Sequence, residues 1–378
     1  MNILWIPHTA WDIPQRAHQF TRGLVARGHT VHVTNWVADF STPGDYLSLR
    51  YLCNFFYRSH WDGAIKVHGI PRISPAIFTP GLRRFNTLVF SKIVQTLISR
   101  YAIEAVVGTF VVPPPTAPRV IFDLFDDNSG YWMSYGRISA YAQEIFDTEQ
   151  AYLHNADAVV AASSVLADKA VARGTHAPVH LIPNGVDLAC FADTDGTDGK
   201  ALREKLNVRG KLVGLLGNHD KPAELEQVIA VARSLKDITF LIAGRGKAMP
   251  LAQAMVEHEG LDNIRFLGYI PLEKAPTVIS ALDVGLCPYA KTPGAEASSP
   301  MRLLMYLAAG VPSVCTDLES VRRCGFPNVV LIDDNKDALE KGILTALHLP
   351  KGRPLQINAF DLPRLIEQYE RVLAGAVE

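Results

Sequence analysis

The chain of 378 residues is long for a single hydrophobic core and of the size expected for two α/β domains. Hydrophobic residues make up 48% and charged residues 20%, which excludes a disordered chain, and a formal net charge of −1 at pH 7 argues against a general nucleic-acid binder. That balance hides a basic segment: between Arg50 and Glu104 there are eight Lys/Arg against Asp62 and Glu104.

In chain order, residues 2–7 form an apolar run of strand length, and residues 14–27 carry helical spacing at Ala17, Phe20, Leu24 and Val25. Gly28 closes that helix before a β-branched strand at 30–34, a βαβ unit that predicts a parallel sheet. The pattern continues with a strand at 64–68, a helix at 85–101, strands at 105–109 and 120–125, a helix at 138–155, a strand at 158–162, a helix at 165–173 and a strand at 179–182. Residues 191–199, FADTDGTDG, read as a linker. A second alternation follows, with strands at 212–216, 238–243, 264–267, 284–288, 313–315 and 329–332 and helices at 223–235, 251–259 and 274–282; a last helix covers 362–373. The expected domains are 1–190 and 201–355, with 356–378 as a C-terminal crossing segment.

The five cysteines (Cys53, Cys190, Cys287, Cys315, Cys324) are scattered without a CxxC, which suits reduced thiols in a cytoplasmic protein. The N-terminal residues lack a signal-peptide pattern, and no apolar run reaches the ~20 residues that span a bilayer. The expected location is therefore cytoplasmic, with the basic apolar segment at 51–101 suggesting contact with an anionic membrane surface; the alternative is a solvated basic face over a core helix.

Residues 296–314, EASSPMRLLMYLAAGVPSV, carry the clearest chemical signal. Ser298, Ser299 and a proline stand where a helix should begin, so free N–H groups would point outward there, with Arg302 in the first turn to receive an anion. Gly310 stops the helix ahead of a buried strand. The alternative for Arg302 is a surface salt bridge. Asp126 and Asp127 follow the strand at 120–125, where a carboxylate can act as a base or cap the next turn. His8, Trp11, Asp12 and Arg16 follow the first strand, His8 being either a satisfied structural histidine or a base. A third ligand for a metal beside the aspartates is not apparent, so no metal and no cofactor are expected.

LVARGHTVHV (24–33), HLIPNGVD (180–187), and LIAGRG (241–246) followed by NIRFLGYIP (263–271) and DVGLCPY (283–289) together resemble the group 1 nucleotide-sugar glycosyltransferases of the GT-B fold. The resemblance implies an α/β protein of two Rossmann-like doubly wound domains facing a cleft, with a C-terminal helix crossing back to the N-terminal domain. It also implies an N-terminal acceptor domain, a C-terminal donor domain and polysaccharide or cell-envelope biosynthesis. On this reading Gly217, Asn218, Ile270, Tyr289, Glu296, Ser298, Ser299, Met301, Arg302 and Met305 bind a UDP- or GDP-sugar, Ile270 beside the base and Arg302 at the diphosphate.

Two departures shape the expected mechanism. Residues 217–222, GNHDKP, lack the Arg of the basic pair that commonly holds the diphosphate, and Met305 replaces the second Glu of the retaining pattern. SSPMRLLMY (298–306) instead resembles a stretch of the membrane-associated glucuronosyltransferase of xanthan assembly, and FDLFDDNSG (122–130) falls where that inverting enzyme has its catalytic Asp. The expectation is an inverting, metal-independent transfer to a glycan or polyprenyl-linked acceptor, with Asp126 as base. The rivals are a GT-B nucleotide-sugar epimerase and a non-catalytic nucleotide-sugar-binding subunit.

Overall fold

The structure is a computed structural model that describes residues 1–11, 15–36, 56–73, 80–134, 139–191, 197–208, 210–220 and 222–376. The chain divides into two compact units, Met1–Pro183 with Pro363–Glu378, and Asn184–Leu362.

The first unit contains β1 (Asn2–Trp5), α1 (Arg16–Ala26), β2 (Thr30–Trp36), β3 (Arg58–Asp62), β4 (Ile65–Ile70), α2 (Pro80–Arg100), β5 (Ala105–Gly108), β6 (Val120–Leu124), α3 (Asn128–Ser134), α4 (Ser139–Asn155), β7 (Ala158–Ala161), α5 (Ser164–Ala172) and β8 (Val179–Leu181). Its strands lie in the order β3-β4-β2-β1-β5-β6-β7-β8. Only the edge pair β3–β4 is antiparallel among these; the other pairings are parallel, as helical crossovers require. Leu4, Ile6, Phe90, Val94 and Leu97 form a core on one side of the sheet. Trp5 packs 5.2 Å from the Tyr369 ring, which belongs to the last helix of the chain.

The second unit contains α6 (Thr197–Lys205), β9 (Lys211–Asn218), α7 (Pro222–Ser234), β10 (Ile238–Arg245), α8 (Met249–Glu259), β11 (Ile264–Gly268), α9 (Ala275–Ser280), β12 (Val284–Cys287), α10 (Pro293–Ala297), α11 (Met301–Ala308), β13 (Ser313–Thr316), α12 (Glu319–Arg322), β14 (Val329–Ile332) and α13 (Lys336–Ala346). Its all-parallel order β11-β10-β9-β12-β13-β14 is the Rossmann arrangement, in which the direction of winding reverses between β9 and β12. Strand β9 is buried on both faces: Leu212 and Leu216 enter one core, Val213 and Leu215 the other.

The final helix, α14 (Leu362–Ala374), returns to the first unit, where Arg27 and His29 both bond to Glu370. Near residue 190 the observed division differs from the expected one. Residues after Pro183 stay with the second unit because Val186 exchanges backbone bonds with Phe360 and Leu362, and Leu188 and Phe191 sink into its core. Part of the expected linker is also helical, since α6 begins at Thr197. Among the described residues no helix is long and apolar enough to cross a membrane.

Candidate functional site

In a doubly wound sheet, ligands gather outside the carboxyl ends of the strands flanking the reversal. In the second unit these are the ends of β9 and β12, and the helix that bears on them is α11. Tyr306 anchors it there: the Leu216 N–H donates to the Tyr306 hydroxyl at 3.0 Å. Gly217 has φ +138°, open to glycine but strained for other residues, and a Cβ there would stand 3.1 Å from a terminal nitrogen of Arg302. The missing side chain therefore leaves room for the guanidinium. Gly244, on the next strand, is closer still: a Cβ would collide with the Gly217 carbonyl.

The serines do not cap α11. Pro300 is the N-cap residue and provides no side-chain hydrogen bond, whereas α10 is capped by Thr292, whose hydroxyl accepts from Ala295 N–H at 3.2 Å. Ser298 donates to the Ala295 carbonyl, and Ser299 is tied to Asn184. The proline ring fixes an extended entry, so the helix begins at Met301, directly after the serines and proline that mark its start in the sequence, and its N-cap residue makes no side-chain hydrogen bond.

Arg302 is nearly buried. Its Nη1 donates to Glu224 Oε2 at 3.2 Å, and Cζ lies 5.4 Å from the Tyr289 ring centroid. Burial works against its charge, but Tyr289 and then Glu224 outweigh that and raise its pKa above the ordinary value. The surface-salt-bridge alternative gives way to a buried pair. Tyr289 is itself held by Thr316, whose hydroxyl accepts from its N–H and donates to its carbonyl. Beside them His219 is 1% exposed, with Nε2 at 3.1 Å from the Ala243 carbonyl and Nδ1 without a partner among the described residues. Burial lowers its pKa to about 4, so the ring is neutral at pH 7.

Asn218 is exposed and bonds to Asp220. Ile270, Met301 and Met305 are half-buried, Ile270 and Met305 packing against the core. Glu296 is engaged: its carboxylate accepts from Glu319 N–H at 2.6 Å, at the start of α12, and lies 3.6 Å from Lys291. Lys221 lies outside the described residues.

In the first unit the winding reverses between β1 and β5, and His8 and Phe110 follow those strands. The His8 ring stacks on Phe125 with centroids 4.0 Å apart, and burial lowers its pKa to about 4, so it is a neutral imidazole. Asp126 follows Phe125; its Oδ1 accepts from the Asp127 N–H at 2.9 Å, and the side chain is partly accessible. Asp127 behaves as the capping alternative: it accepts from Gly130 N–H at the start of α3 and pairs with Lys169 at 2.6 Å. Its two carboxylate oxygens are thus taken up by the helix start and by Lys169.

Two acceptor assignments are also corrected. Arg16 is 6% exposed; Nε reaches Asp123 at 3.2 Å, and the other nitrogens donate to the Pro183 and Ile182 carbonyls, so it staples α1 to β6 and the end of the unit. Trp11 is 5% exposed, stacks on His18 and donates from its indole to Asp62 at 2.9 Å. Both are held by partners remote in sequence, which local patterns do not reveal. Asp12 lies outside the described residues. Sequence reasoning also missed Glu224 and His219; the only signal for Glu224 was an acid in the first turn of a helix.

Residues 14–189 match the family described as Glycosyltransferase Family 4, and residues 210–348 the family described as Glycosyl transferases group 1. The chain is 29% identical over 245 residues to a candidate colanic acid biosynthesis glycosyl transferase, WcaI, of Escherichia coli (strain K12), covering 60% of this chain and 59% of that protein. It is 33% identical over 147 residues to the phosphatidyl-myo-inositol mannosyltransferase of Mycolicibacterium smegmatis, covering 38% and 35%. Under two thirds of either relative's length is therefore spanned. The solved structure of Anabaena Alr3699/HepE in complex with UDP and glucose superposes with a TM-score of 0.67 at 16% identity, covering 99% of each chain. With both sheets doubly wound and one glycosyltransferase family matched on each, the chain belongs to the group 1 glycosyltransferases of the GT-B fold.

Proposed function

We propose that the protein transfers a sugar from a nucleoside-diphosphate sugar to a hydroxyl of a glycan or polyprenyl-linked acceptor during polysaccharide assembly. The observation that carries this reading is the start of α11, whose N-cap residue Pro300 makes no side-chain cap hydrogen bond and whose first turn holds Arg302, at the carboxyl ends of β9 and β12. A diphosphate leaving group develops charge that a helix start and a guanidinium stabilise, so charge compensation rests on them rather than on a metal ion. UDP is the favoured nucleotide because Alr3699/HepE has been solved with it. Asp126, at the end of β6, is the base that deprotonates the acceptor in an inverting displacement.

The test is a thermal-shift screen with UDP, GDP, ADP and their sugars, followed by donor turnover with and without acceptor glycans. Stabilisation by a nucleoside diphosphate and turnover only with acceptor are expected. Conversion of donor without acceptor would instead identify an epimerase, and binding without any turnover a non-catalytic subunit.

The lipid-linked class of acceptor is supported by α2. Its outward face carries Arg84, Phe85, Leu88 and Lys92, with Phe85 51% and Leu88 63% exposed, a pairing of apolar and basic residues suited to an anionic membrane surface. Arg83 does not share this face, being bonded to Glu144. Sedimentation with anionic vesicles should fall with salt and with Arg84→Glu; absent or salt-insensitive binding would end this part of the reading.

A further inference from the structure

We infer that Glu224 is a positioning residue for Arg302, and that it sets how tightly the site holds a diphosphate. The inference rests on the donor-site reading above. Glu224 lies in the first turn of α7, immediately after β9, and is 8% exposed. Its partner stands 78 residues away in the first turn of α11. The carboxylate thus bridges two helix starts that rise from different strands of the sheet, with its charge at a positive helix end.

The contacts restrict the guanidinium on three sides. Glu224 takes Nη1, the Tyr289 ring covers it at 5.4 Å, and Gly217 lies against Nη2 and Nε, where a Cβ would stand 3.1 and 3.3 Å from them. Among the described residues, Nε and Nη2 have no hydrogen bond, and neither is among the buried atoms left without one. A guanidinium is a planar fork, so fixing one nitrogen fixes the direction in which the remaining donors point. Without Glu224, a long flexible side chain beside Gly217, with no Cβ to stop it, has several rotamers to sample. The expected signature is selective: a loss that falls on diphosphate contacts and spares those to the base.

The experiment measures calorimetric affinities for whichever of UDP, GDP and ADP the wild type binds, and for the matching nucleoside, in the wild type, Glu224→Gln, Glu224→Ala, Arg302→Ala and the double variant Glu224→Ala/Arg302→Ala. Glu224→Ala should weaken diphosphate binding about tenfold or more while nucleoside affinity stays within about twofold. Glu224→Gln, which keeps an acceptor oxygen, should recover most of that loss, and the double variant should be no weaker than Arg302→Ala. Equal losses for nucleoside and diphosphate would reduce Glu224 to a structural role and overturn the inference. Unchanged or tighter diphosphate binding in Glu224→Ala would overturn it too. Failure of the underlying reading looks different: Arg302→Ala would then bind the diphosphate as the wild type does, or the wild type would bind none.

Discussion

Asn184 holds Ser299 through its backbone and its side chain: its N–H donates to Ser299 Oγ at 3.3 Å, and its Nδ2 donates to the Ser299 carbonyl at 2.7 Å. The residue comes from the IPNGVD segment and the serine from the turn ahead of α11, so the start of the second unit secures the approach to that helix. Asn184→Ala removes the shorter of the two bonds and leaves the Ser299 carbonyl to find another donor. A net loss of about 1 kcal/mol at this turn corresponds to a donor KM raised about fivefold with kcat less affected. Initial-rate kinetics with varied donor check this; an unchanged KM would show that the turn does not need the clamp.

Arg302→Lys separates charge from shape. Lysine keeps the positive charge but lacks the fork that bonds Glu224 while facing Gly217. Charge-assisted bonds contribute about 1.5–3 kcal/mol, so donor affinity should fall roughly ten- to hundredfold in Arg302→Ala, and Arg302→Lys should restore little of it. Full recovery by lysine in a binding titration would mean that the site reads charge alone.

Much of this architecture was legible because its signals are local. Strand β10, ITFLIAGR, is buried from Ile238 to Ala243 and reads as an apolar run, and Gly217 and Arg302 stood out at a strand end and a helix start. Strand β3, RSHWD, offers no apolar face, its first four residues being exposed, so nothing in its pattern marked it as an edge strand. Ser298, Ser299 and the proline after them marked the start of the helix at Met301, but not that Asn184 would hold Ser299. Glu224 was missed and Arg16 and Trp11 were misjudged for a single reason. Each is defined by a partner dozens of residues away, and a single sequence does not show which distant charges meet.

The two adjacent aspartates should respond differently to substitution. Asp126→Asn removes the proposed base and should lower kcat by about 10²–10⁴-fold with donor KM nearly unchanged. Asp127→Ala removes the Gly130 bond at the α3 start and the Lys169 pair, costing about 0.5–2 kcal/mol of stability for the cap, while the activity of the folded fraction persists. Thermal unfolding beside kinetics distinguishes the two, and full activity in Asp126→Asn would refute the base assignment.

Stability should rise with pH between about 4 and 6.5, and buried histidines in both units are the reason. His68, fully buried on β4, lies 2.9 Å from the His32 ring and 2.5 Å from the Tyr57 hydroxyl, with a pKa lowered to about 4 by burial and by His32, Lys66 and Arg100. His219, buried beside Gly244, is also lowered to about 4. Between that value and the unfolded value near 6.5, the unfolded chain binds the proton and the folded chain does not. Unfolding therefore takes up protons in this window, and stability falls as pH is lowered through it, by up to about 1.4 kcal/mol per pH unit for each histidine. Above about 6.5 both states are neutral at these sites and the dependence vanishes. His68→Gln keeps hydrogen-bonding groups for Tyr57 and His32 but cannot take the proton, so denaturant unfolding followed from pH 4.5 to 6.5 should show a shallower slope than wild type. An identical slope in the variant would place the proton uptake elsewhere.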